Sequence, residues 1–228
     1  MVQRLTLSQL PVYVIHGSRS VERRRRLEAD FALHGIEPRW VTEPAADALS
    51  PALVRSHYRE SRWVWRKRSA ATSRIKYRKL SPREIAVNIS HVETYRRIAA
   101  DGQDWALIFE DDAVLAPDFG ERFDEYFREL PADADLVFIG SCCGLRIDQV
   151  EDGRHFYRKD HPATKCVDSY LVSRRSAETL LPTLLPFVLT IDWELNYHLE
   201  LHNLVVYWLE PPLVSQGSET GVYASSLR

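Results

Sequence analysis

The sequence predicts an α/β domain built on a largely parallel sheet, and two observations carry that prediction. Short apolar runs alternate along the chain with longer stretches of helical period, the order that strands joined by crossover helices produce. Polar residues capable of chemistry follow directly on two of those runs, "HGSRS" after "VYVI" and "EDD" after "LIF". Sheets of this class place their sites there, beyond the carboxyl ends of the strands. A chain of 228 residues is long enough to bury one substantial core, and residues 1–228 are read as one domain.

The strands are expected at "PVYVI" (Pro11–Ile15), "WALIF" (Trp105–Phe109), "DLVFIG" (Asp135–Gly140), "YLVS" (Tyr170–Ser173) and "LVVYWL" (Leu204–Leu209). Helices are expected near 20–34, 82–100, 118–130, 174–185 and 192–202. The second has the clearest start. Ser81 as N-cap, Pro82 at the first helical position and Glu84 three residues after the cap form a capping box. Ile85, Ile89 and Val92 then define a buried stripe, while Glu84, Asn88, His91 and Tyr95 share a neighbouring polar face. His91 on that face reads either as a hydrogen-bonded residue at the core edge or as a group lining a site.

Composition removes several function classes. Hydrophobic residues make up 45% of the chain and the net charge is −2, which excludes a basic nucleic-acid coat and a solvating acidic tail. No nucleic-acid partner is expected. No run approaches about 18 apolar residues, so contact with a membrane would be peripheral. Three cysteines, two of them adjacent (Cys142 and Cys143), lack metal-ligand spacing and read as reduced thiols of a cytoplasmic protein. One strong local field interrupts this neutrality. Between Arg55 and Lys79 ten residues are Arg or Lys, and Glu60 is the single acid. Residues 55–79 are read as a basic insertion or flap in which Trp63 and Trp65 stand ready to stack on a sugar, with Arg to pair with phosphate.

At the end of the most apolar strand stand three consecutive carboxylates, Glu110, Asp111 and Asp112. Neighbouring anions repel, and partial burial raises the cost, so a cation or a proton is expected there. In an extended strand end Glu110 and Asp112 project to one side, where a divalent ion could bridge them to a ligand, while Asp111 points away. Oxygen ligands without His or Cys favour Mg²⁺ or Mn²⁺, ions that usually work with substrate phosphates.

Taken in order, "VYVIHGSRSVERR", "SPREIAVNISHVETYRRI", "WALIFEDDAVLAPDF", "DLVFIGS", "DSYLVSRRSAETLL", "TIDWELNYHL" and "EPPLVSQ" resemble glycosyltransferase family 25, the group of lipooligosaccharide and procollagen galactosyltransferases. The resemblance runs from about Val12 to Gln216 and leaves out the basic segment. It implies a GT-A fold, a UDP-sugar donor carrying galactose or glucose, Mn²⁺ or Mg²⁺, inversion at the anomeric carbon, and a glycan, glycolipid or peptide acceptor. Glu110, Asp111 and Asp112 become the counterpart of an Asp-X-Asp motif, with Asp112 and Glu110 toward the metal and Glu110 and Asp111 toward the donor.

His16, Gly17, Arg19 and Arg23 after the first strand, the pair Ser90 and His91, and Gln216 near the end are then expected on the donor side. The chain has His16-Gly17 where the family often has Asn-Leu. The catalytic carboxylate is sought in "TIDWELNYHL", at Asp192 or Glu194, with Trp63 and Trp65 on the acceptor side. The expected function is therefore a metal-dependent, inverting transfer of a hexose in lipopolysaccharide-type synthesis, at the cytoplasmic face of a membrane or in the cytoplasm. Two rival functions remain at this level: a non-catalytic binder of sugar nucleotide or glycan, and a protein that binds anionic surfaces through the basic segment.

Overall fold

Each core strand buries both of its faces, which is why the apolar runs are nearly continuous rather than alternating. In a computed structural model that describes residues 5–17, 20–42, 44–69, 76–141, 145, 147, 149–159 and 161–223, β1 (Val12–Ile15) sends Val12 and Val14 into one core and Tyr13 and Ile15 into the other. Helix α1 (Val21–Leu33) covers the first face with Leu27 and Phe31. Next come β2 (Pro38–Val41), then two short helices, α2 (Pro51–His57) and α3 (Arg62–Arg68), and α4 (Pro82–Asp101). Helix α4 begins with the expected capping box and ends at Gly102, whose φ of 77° is the left-handed stop that glycine adopts without a Cβ penalty. Its Val92, Tyr95 and Ile98 cover the second face.

The acid-bearing strand is β3 (Trp105–Glu110), followed by the short β4 (Ala113–Leu115) and α5 (Phe119–Tyr126), whose Phe119 and Phe123 join the first core. The chain continues through β5 (Leu136–Phe138), β6 (Phe156–Arg158), β7 (Ser169–Ser173), α6 (Arg174–Leu184), α7 (Ile191–Leu201), β8 (Val206–Leu209), β9 (Val214–Gln216) and α8 (Gly217–Thr220). Helices α6 and α7 pack on the second face through Leu180, Leu184, Leu195 and Leu199. All five expected helices and five expected strands are present, with ends within a few residues of those read from the sequence.

Seven strands form one sheet in the order β2-β1-β3-β7-β5-β8-β6. The pairs β1–β2, β1–β3 and β5–β8 are parallel, whereas β7 lies antiparallel to both of its neighbours and β6 antiparallel to β8. Five strands therefore run one way and two oppose them. Strands β4 and β9 make a separate antiparallel ribbon with Ala113 opposite Gln216.

The basic stretch is tied to this body at several points. Tyr58 bridges to Phe187, the Phe187 N–H donates to the His57 carbonyl at 2.8 Å, and Arg68 reaches Glu194 at 2.8 Å. Beneath it, Leu80, Ile85, Ile89 and Phe187 form a third, smaller core. The reading of reduced thiols is corrected at Cys166, which is disulfide-bonded. Its partner lies outside the described residues, as do Cys142 and Cys143. Linear spacing hides such a link because β7 enters the sheet at the edge where its neighbour β5 leaves it, bringing segments distant in sequence side by side. With it goes the thiol argument for a cytoplasmic location. Among the described residues no helix is long and apolar enough to cross a membrane.

Candidate active site

The three acids of the triplet leave β3 in different directions because the chain turns at Asp111 and Asp112 instead of continuing extended. Asp111 faces the end of β1. It accepts from His16 Nδ1 at 2.9 Å, from the Gly17 N–H at 3.1 Å and from Arg23 Nη1 at 2.8 Å. Burial pushes its carboxyl up, but these bonds outweigh burial and hold it below the ordinary range. The guanidinium of Arg23 also lies over the Tyr223 ring, 5.1 Å from its centre. Three residues expected on the donor side thus satisfy one another through Asp111, and Arg19 lies outside the described residues.

Glu110 turns toward α4. His91 Nε2 lies 3.3 Å from Glu110 Oε1, and its Nδ1 lies 3.1 Å from the Tyr170 hydroxyl, which in turn bonds Tyr95 at 2.8 Å. The polar face predicted for α4 is therefore buried, and His91 on it reaches the site. Complete burial drops the His91 pKa to about 3, so the ring is neutral and one nitrogen donates while the other accepts. The hydroxyl of Ser90 donates to the Ala86 carbonyl one turn back at 3.0 Å.

Asp112 faces the β4–β9 ribbon. Its carbonyl accepts from the Gly217 N–H at 2.7 Å, and its carboxyl, in a residue only 5% exposed, keeps Oδ1 buried without a partner among the described residues. Burial raises its pKa, and hydrogen bonding from Ser218 and Gln216 only partly offsets that. Gln216 is thus placed beside Asp112, as its register opposite Ala113 requires.

One carboxylate of the site escaped the sequence reading. Asp168 immediately precedes β7, is 0% exposed, and keeps Oδ1 without a partner among the described residues, while Oδ2 accepts from Ser169 Oγ at 3.0 Å. Its carbonyl accepts from the Glu110 N–H at 2.9 Å, fixing it against the triplet. Burial pushes its carboxyl up to about 7, and the charge of Asp112 adds to this. Asp192 completes the group from the start of α7. Its carboxyl is raised by burial, against hydrogen bonds from Thr190 and the Trp193 N–H, and it is among the charges that hold Glu110 well above the usual range.

Glu194 has other work. It is fully buried, with Oε1 accepting the N–H groups of Val188 and Leu189 and Oε2 accepting Arg68 Nη1. Trp63 is 73% exposed on α3, whereas Trp65 packs edge-on to Tyr77 with ring centres 5.6 Å apart.

Glu110, Asp112, Asp168 and Asp192 therefore all ionise less readily than free carboxyls, chiefly because they are buried, with repulsion from neighbouring acids of the site adding to this for Glu110, Asp112 and Asp168. One or two such carboxylates, together with oxygens of a substrate, can hold a hard cation, and one alone can accept a proton.

The pattern of the family described as "Glycosyltransferase family 25 (LPS biosynthesis protein)" matches residues 9–193. The chain belongs to glycosyltransferase family 25. That match takes in the triplet, Asp168 and Asp192, and ends before Gln216 and Ser218, the partners of Asp112. A family of glycosyltransferases implies a sugar donor and an acceptor. A comparison with curated proteins finds no match. Among solved structures, "Crystal Structure of A197 from STIV" is similar over 90% of this chain and 83% of its own, at 13% identity and a TM-score of 0.46.

Proposed function

We propose that this family 25 member transfers a hexose from a UDP-sugar to a hydroxyl of a glycan or glycolipid acceptor, in a GT-A-like arrangement that uses Mn²⁺ or Mg²⁺ and inverts the anomeric carbon. The observation that carries the proposal is the buried Oδ1 of Asp112, which has no partner among the described residues and lies within the electrostatic reach of Glu110 and Asp168. A buried anionic oxygen without a donor is costly unless an ion offsets it. The donor set fits a hard divalent ion, since it offers only carboxylate oxygens. Among the described residues no group of three or more His, Cys, Asp or Glu side chains is placed to hold a metal ion. That suits an ion held by one or two carboxylates and completed by substrate phosphates.

An ion held by Asp112 would supply Lewis-acid stabilisation of the charge on the departing UDP. The chain's own groups supply the rest. Asp112 anchors the donor side, and His91, held neutral, orients Glu110. Asp192 takes the acceptor proton: burial raises its pKa and so makes its carboxylate a stronger base, and its place on α7 brings a second element to the site. Trp63 offers an exposed face to the acceptor beside a basic surface.

Release of UDP from a panel of UDP-hexoses, with and without Mn²⁺ and acceptor, tests the proposal. Metal-dependent release with one UDP-hexose is expected. Tight binding of UDP-sugar without any turnover would favour a non-catalytic binder instead.

A further inference from the structure

We infer that Asp168 is the second protein ligand, beside Asp112, of the divalent ion used in the proposed reaction, and that Gly140 is the residue that makes room for it. The inference rests on the metal-dependent reading above and extends it to a residue outside the acidic triplet.

Three independent observations place Asp168 there. The first is topological. Because β7 runs against β3 and β5, the residue that enters β7 lies at the edge where β3 and β5 end. The backbone records this directly: the Glu110 N–H donates to the Asp168 carbonyl at 2.9 Å, and the Ile139 N–H to the Ser169 carbonyl at 3.2 Å. The second is the state of the carboxyl. Asp168 is 0% exposed and Asp112 5%, and each keeps one carboxylate oxygen buried without a partner among the described residues. A carboxylate that served only to hold the fold would direct both oxygens to donors, as Asp111 and Glu194 do. The third is steric. A Cβ at Gly140 would stand 2.2 Å from Asp168 Oδ2 and 2.7 Å from Oδ1, a distance that side chains do not tolerate, so the absence of a side chain at 140 is what lets the carboxyl sit where it does. Two carboxylates and a diphosphate then furnish the oxygen ligands an octahedral ion needs, with water for the remainder.

Calorimetric titration of Mn²⁺, in the absence and presence of UDP, into wild type, Asp112→Asn and Asp168→Asn decides the matter, read together with melting temperatures in metal-free buffer. Either substitution is expected to weaken Mn²⁺ binding by at least about tenfold, since even groups that only support a ligand cost that much. Asp168→Asn should melt no lower than wild type without metal, because the substitution removes an unpaired charge and keeps the shape.

Wild-type Mn²⁺ affinity in Asp168→Asn, with binding lost in Asp112→Asn, would overturn the inference and leave the metal reading standing. Failure of wild type to bind Mn²⁺ even with UDP would overturn both. An anomalous-scattering map of wild-type crystals soaked with Mn²⁺ and UDP needs no variant. An ion about 2.1 Å from oxygens of both Asp112 and Asp168 is expected, and an ion that contacts Asp112 but not Asp168 refutes the assignment.

Discussion

Adjacent carboxylates at the end of β3 sit in unlike surroundings, so replacing them should have unlike consequences. Asp111 holds two side chains and a backbone N–H together. Asp111→Ala should cost about 2–3 kcal/mol, because bonds to a charged acceptor are lost and the buried Arg23 loses the carboxylate that balances its charge, a loss that urea unfolding would register. Asp112→Asn should leave urea stability unchanged or slightly raised and abolish Mn²⁺-dependent UDP binding in calorimetry. Asp192→Asn should lower kcat by roughly 10² to 10⁴ with UDP-sugar affinity little changed. A fall in UDP-sugar affinity at unchanged UDP affinity would make Asp192 a sugar-holding group instead. The sequence marked the triplet because three acids ending an apolar strand are conspicuous. It could not say that Asp111 is neutralised from within, since the partners His16 and Arg23 come from β1 and α1, some ninety residues away. Nor could it tell Asp192 from Glu194: both acids favour a first helical turn, and what separates them is that Glu194 is tied to the buried N–H groups of Val188 and Leu189 and to Arg68.

Helices were the most legible elements, and the reason is local. A capping box and a recurring apolar stripe are written within one turn or two, so α4 begins where Ser81 and Glu84 say it does. Strands β2, β4, β6 and β9 have only three or four residues, too few for a period to emerge. The direction of β7 was not legible at all. Read as parallel, it would have put Asp168 at the far edge of the sheet, which is why that residue passed unnoticed among the family motifs. The basic stretch was legible as charge and not as structure. Helix α3 is fastened to α7 by Arg68, which is 15% exposed and bound to a fully buried Glu194. Arg68→Ala should therefore cost about 3 kcal/mol by leaving that carboxylate short of its cation, a value that a urea titration would give. On the same helix the two tryptophans should separate. Trp63→Ala should leave the melting temperature unchanged and raise the acceptor KM, whereas Trp65→Ala should lower the melting temperature by breaking its contact with Tyr77.

For the molecule as a whole, the gathered carboxyls and the buried imidazole make opposing contributions to stability as pH changes. Burial lifts Asp168 from 3.8 to about 7, so the folded chain holds that proton more tightly than the unfolded chain does. The stability this provides is complete below about pH 4 and is lost as pH rises toward 7. His91 works the other way. Its pKa falls from 6.5 to about 3 in the fold, so its contribution is complete above 6.5 and is lost as pH falls toward 3. A single pH profile of the protein mixes the two, but the difference between wild type and Asp168→Asn cancels His91, which both share. In metal-free buffer that difference should be smallest near pH 4 and grow in favour of the variant up to about pH 7, because only wild type is forced to ionise a buried acid there. Mn²⁺ with UDP at neutral pH should then reverse the order, since an ion offsets the wild-type charge and has less to bind in the variant. Melting temperatures across this range, with chelator and with Mn²⁺ and UDP, check both halves. A difference that stays constant with pH would mean that Asp168 titrates as freely in the fold as out of it, and that the charge at this edge of the sheet is balanced from within.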